Sequence, residues 1–211
     1  MANAPLTASA YGVVALSRAR EMRTRIAFAL VLMTTAWVFA PGIIPFLWFA
    51  AVLMAQGLDH AVARPLRRHP ESAPSPRRRI AYTGSTVLSA VIYGSIAIYM
   101  WFYGGVAGHA FAMLAPAGSI LHMSMRMDQS PRLLVPGWAP HAVLLICLPL
   151  ASGLISPEAD LVQMGVVSLG SGIFLAHVMA MLKGTRQVTE ALHLARDEAE
   201  HERARAEAAS A

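Results

Sequence analysis

Charge is missing from more than half of this chain, and the places where it is missing decide what kind of protein this is. Four runs hold no Asp, Glu, Lys or Arg: residues 26–58, 80–125, 133–157 and 161–182. An apolar stretch of about 18 or more uncharged residues is long enough to cross a hydrocarbon core. Cysteine is almost absent as well. Cys147 is the only one, so no intrachain disulfide can form and no redox framework exists. Acids beside the runs are few, Asp59 and Asp128 on one side, Glu158 and Asp160 on the other. Ionisable groups within the membrane mark ion pathways, so this scarcity disfavours an ion-driven transporter and an intramembrane hydrolase. No GxSxG, P-loop, HExxH or paired acidic motif is present. The chain therefore receives no catalytic residue, no metal site and no cofactor of its own. Residues 1–25 do not read as a secretory signal: Arg18, Arg20, Arg23 and Arg25 come late, and the apolar run behind them is long.

What is present is apolar. Of the 211 residues, 56% are hydrophobic and 14% charged, against about 25% charged in a soluble domain. The basic pI near 10 could suggest nucleic acid, but the positive charges flank the apolar runs. That is the distribution that fixes membrane orientation, so the expected partner is the lipid bilayer and not nucleic acid.

The run 26–58 is too long for one crossing and carries Pro41-Gly42 at its centre, a strong turn signal. Arginines stand on both sides of it, so a hairpin keeps both clusters on one face. The run 80–125 likewise divides at Gly104-Gly105 and Gly108. Six helices are expected at about 23–40, 43–62, 80–103, 107–125, 133–154 and 161–182. Residues 1–22 form a cytoplasmic N-terminal segment and 183–211 a cytoplasmic linker helix. Six crossings place all seventeen Lys and Arg inside, in groups of four, six, two and five, and none in the outer turns. The fold class expected is thus an all-α, six-helix integral membrane bundle with both termini in the cytoplasm. Short exterior turns leave no room for an outer ligand domain. Arg23 and Arg25 are expected to snorkel towards the headgroups.

The last span carries Gly165, Ser168, Gly172, Ala176 and Ala180 at spacings of three and four. Small residues let helices approach closely in lipid, either within the bundle or across a dimer seam. Pro116, Pro136, Pro140 and Pro149 should bend the fourth and fifth spans. Trp37, Trp48, Tyr99, Trp101, Phe102 and Tyr103 gather near the outer turns and read mostly as an interfacial belt. Among the histidines, His122, His141 and His177 lie in inner-leaflet halves and are the candidate signal-sensing residues. The alternating methionines of His122-Met123-Ser124-Met125-Arg126-Met127 resemble soft copper ligands, but helical spacing spreads their sulfurs around the axis.

After residue 182 the composition changes to Ala, Glu and Arg without further glycine or proline beyond Gly184, a strong helix former. Val188, Leu192, Ala195, Ala199 and Ala206 follow the four-three spacing of a coiled coil, a seam that would need a dimer partner. The segment 190–211, EALHLARDEAEHERARAEAASA, resembles the linker of bacterial membrane-bound sensor histidine kinases, especially hybrid ones. A six-helix sensor module before such a linker is also seen in that family. The resemblance implies a homodimer and a downstream kinase core that binds ATP and Mg and serves a response regulator. His201-Glu202 matches the first letters of the family's H-E-[IL]-R-T-P motif, but Arg203 to Ala206 depart from it and no proline follows. The phospho-acceptor is therefore expected beyond residue 211. Gly184, Val188, Leu192, Ala195 and Ala199 are the expected transmission residues. The alternatives are a free-standing six-span transporter or scaffold, and the sensor region of another output such as a cyclic-dinucleotide enzyme.

Overall fold

The computed structural model describes residues 9–127, 131–155 and 161–210, and every element among them is an α-helix. In chain order these are α1 (Ala10–Arg20), α2 (Met22–Phe39), α3 (Ile44–Arg68), α4 (Pro76–Tyr103), α5 (Gly105–Met127), α6 (Pro131–Ile155) and α7 (Leu161–Ser210). Helices α2 to α7 each contain a stretch long and apolar enough to cross a membrane. The chain is a multi-pass helical membrane protein. It divides into two units, Met1–Gly172 and Ile173–Ala211.

The six expected spans sit where the charge-free runs place them, with ends that differ by a few residues. Pro41-Gly42 separates α2 from α3. Gly105 opens α5 at φ +61, a left-handed conformation that glycine adopts without a Cβ penalty. Three residues later, a Cβ on Gly108 would collide with the Met100 carbonyl oxygen. The α4–α5 turn therefore needs glycine at both positions. Pro116 lies inside α5, and Pro136, Pro140 and Pro149 inside α6.

Helix α4 is the hub of the first unit and packs against α2, α3, α5 and α6. Small residues permit this. Ser85, Ser89, Ala90, Gly94 and Ala97 are all buried, and a Cβ on Gly94 would lie 2.7 Å from Leu144 Cδ1 and 3.0 Å from His141 Nδ1. Ala29, Ala36, Val52, Ile96, Met100, Ala112 and Leu148 fill the core around it. On the outside, Phe28, Val31, Val38, Leu47 and Met54 stay exposed, as lipid-facing residues must.

Two features depart from the sequence reading. Trp48 and Trp101 are core residues and not belt residues. Each is under a tenth exposed. Trp48 Nε1 donates to the Ile92 carbonyl at 2.7 Å and Trp101 Nε1 donates to Ser152 Oγ. Trp37, Phe102 and Tyr103 remain exposed. The second departure is α1, inside the segment that carried no expected element. Ser9 caps it by accepting from Gly12 N at 3.1 Å, and Ser9 N donates to the Pro70 carbonyl at 2.7 Å. Gly12 permits the approach, since a Cβ there would lie 2.7 Å from Pro70 Cα. Val14, Ala15 and Arg18 form its buried face.

Candidate functional site

Where α1 docks on α3 and α4, the bundle interior is polar. Arg18 and Asp59, each under a tenth exposed, form an ion pair at 3.1 Å. Arg18 also donates to Thr86 Oγ1 at 2.9 Å and lies over the Tyr82 ring at 5.9 Å. Ser85 donates to the other Asp59 oxygen at 2.9 Å. One turn deeper, Gln56 donates to Ser89 Oγ at 3.2 Å, and Arg25 reaches the same oxygen at 3.4 Å. A buried ion pair survives desolvation only when further hydrogen bonds support it. Thr86 and Ser85 supply that support. Asp59 is therefore a buried, occupied carboxylate and not merely an acid at a helix end. Arg25 turns into the bundle towards Ser89, whereas Arg23 stays exposed.

Beside this network lies a cleft of about 170 Å³ between α2, α4 and α5. Arg25, Thr24 and Phe28 line it from α2, Tyr93 from α4, and His122 and Met123 from α5. A smaller pocket of about 40 Å³, which shares Arg25, His122 and Met123, joins it to Arg18 and Glu21.

The three candidate histidines occupy different settings. His122 is half-exposed at the cleft rim, with Nε2 3.3 Å from a Glu21 carboxylate oxygen. His141 is fully buried on α6 against Gly94, and neither ring nitrogen meets a hydrogen-bond partner. His177 belongs to the second unit and is exposed. Among the described residues, no three His, Cys, Asp or Glu converge as a metal site would require. In the methionine-rich stretch, Met125 is exposed while its neighbour Ser124 is buried, 3.0 Å from Trp138 Nε1. The stretch thus spreads around α5.

The small-residue stripe is largely open. Gly165 and Gly172 have no atom within 4 Å of a Cβ position. Ser168 donates to the Ile146 carbonyl at 3.3 Å, while Ala176 and Ala180 are exposed. In the second unit Gly184 is half-buried, and Val188, Leu192, Ala195 and Ala199 are exposed.

Sequence reasoning missed the polar network because it depends on α1. The available signal was Ser9 as a helix cap ahead of Val14, Ala15 and Arg18, spaced as one helical face. An arginine at a core position reads as a polar face until its partner Asp59 is placed.

Fold and site together define a multi-pass helical membrane protein with a basic cluster built into one end of its bundle. No protein-family profile, curated protein or solved structure matches the chain.

Proposed function

We propose that this chain is the membrane-embedded sensor and anchor region of a two-component sensor histidine kinase. It passes a signal through α7 to a downstream kinase core that binds ATP and Mg and phosphorylates a response regulator. Both termini face the cytoplasm of a bacterial inner membrane, and the linker pairs with that of a second copy. The observation that carries this reading is α7 itself, a single helix of 50 residues, Leu161–Ser210. At 1.5 Å per residue it measures about 75 Å, more than twice a hydrocarbon core of about 30 Å. It begins apolar and ends charged, so the end of the last apolar run and the linker lie in the same helix. Val188 and Leu192 are more than half exposed on the charged part, where a partner helix would cover them. In this reading a rotation or shift of the helix end in the membrane is carried along the helix into the linker. Signalling then requires two packings that bind the cue with different affinity.

The test is Leu192→Pro in the native full-length protein. Proline inside a helix costs about 3 kcal/mol and breaks it. Membrane insertion should match wild type, while histidine autophosphorylation becomes insensitive to the state of the bundle. Unaltered kinase regulation in that variant would refute helical transmission.

A further inference from the structure

Among the described residues of the first unit, Arg25 is a cation drawn into the bundle with little to satisfy it. Its side chain is turned inwards and makes one long hydrogen bond, 3.4 Å to Ser89. Among the described residues it forms no ion pair, because Asp59 is taken by Arg18. A guanidinium has five N–H donors, so most of Arg25's are unused. An unpaired charge within an apolar segment is costly, and such residues pair or mark a binding site. The open donors face the cleft between α2, α4 and α5. Two hydroxyls on its wall, those of Thr24 and Tyr93, have no partner of their own among the described hydrogen bonds.

Size and shape narrow what fits. The cleft holds about 170 Å³. A cavity of about 150 Å³ takes a benzene, whereas a whole ligand of drug size needs roughly 300–1,000 Å³. The cleft thus accepts a small head and a few methylenes, and the rest must lie elsewhere. The rim residues Phe28, Gly118 and His122 are exposed on helices that cross the membrane, so the cleft opens sideways into lipid. Ala90 and Met123 at its floor are apolar.

We infer that this cleft binds the oxyanion head of an anionic amphiphile, a phosphate or carboxylate on a hydrocarbon chain, with Arg25 as its counter-cation. The chain leaves past Phe28 into the bilayer. Thr24 and Tyr93 donate to the remaining oxygens. Bidentate donation from arginine to an oxyanion supplies both energy and orientation. This inference stands whether or not α7 feeds a kinase.

The test places the full chain in phosphatidylcholine nanodiscs and reads bound probe by native mass spectrometry. The probes are phosphatidylglycerol, palmitate and inorganic phosphate. Saturable binding of one phosphatidylglycerol per chain assigns the ligand to the bilayer's own lipid, and preference for palmitate assigns it to a free single chain. Either result supports the inference if Arg25→Gln weakens binding about tenfold or more, the loss of a charged hydrogen bond. Arg23→Gln, one exposed turn position away, should stay near wild type. Gly118→Leu keeps every charge and fills the cleft, where a Cβ meets nothing within 4 Å. It should abolish binding, and it carries the test alone if Arg25→Gln fails to insert. Equal losses in the two arginine variants, undiminished binding in Gly118→Leu, or displacement of lipid by inorganic phosphate at equal concentration would each overturn the inference.

Discussion

Two arginines seven residues apart, one on α1 and one on α2, have opposite fates, and each fate follows from a single partner. Arg18 meets Asp59 and is neutralised, while Arg25 meets only a serine hydroxyl. Asp59→Ala should therefore destabilise the bundle by about 3–5 kcal/mol, since it strands a buried charge. The double substitution Arg18→Met with Asp59→Leu should recover much of that loss. Chemical denaturation in detergent checks both, and a double variant as unstable as the sum of the singles would refute the pairing. The helix–helix contact at Gly94 gives a second expectation. Gly94→Leu collides with Leu144 and His141 and should cost about 1–3 kcal/mol. Gly84→Ala, with open space at its Cβ, should leave stability equal or raise it by up to about 1 kcal/mol. Thermal melts should show a lower midpoint for Gly94→Leu and an unchanged or higher one for Gly84→Ala. None of these roles was legible from residue type. Arg18, Arg25 and Trp48 bear the marks of surface or interface residues, and only placing α1, α2 and α3 against α4 turns them inwards.

At the scale of elements, the six spans were legible because hydropathy and charge are enough to find a segment that must lie in lipid. Both hairpin turns followed from glycine and proline for the same reason, a local backbone requirement. Helix α1 was not legible. Its buried face includes Gly12 and Arg18, neither of which adds to an apolar stripe, and its docking depends on the distant Pro70 carbonyl. The linker's continuity with the last span was readable only as composition. In α7 it becomes a single element, and that yields a prediction. Single cysteines at Val188, Leu192, Ala195 and Ala199, with Cys147 replaced by serine, should crosslink between copies in native membranes. Cysteines at Glu190 and Asp197 should not. Crosslinking without this four-three periodicity would argue against a coiled-coil seam.

For the whole molecule, composition bounds what the protein does more tightly than any motif. In the six-span threading all basic residues flank the spans on one side, the distribution from which the proposed orientation, both ends in one compartment, is argued. In that proposed orientation a cue enters through the bilayer or the inner face, and the ligand proposed for the Arg25 cleft would take the first of these routes. The kinase reading rests on the linker and on its place in the same helix as the last apolar run. The measurement that tests it most directly is the intact mass of the native gene product purified from membranes, with sequencing of its peptides. A mass well above the 22.6 kDa of these residues, with an H-E-x-R-T-P phospho-acceptor helix following residue 211 and a nucleotide-binding core behind it, is the expected result. A product of 22.6 kDa would contradict it.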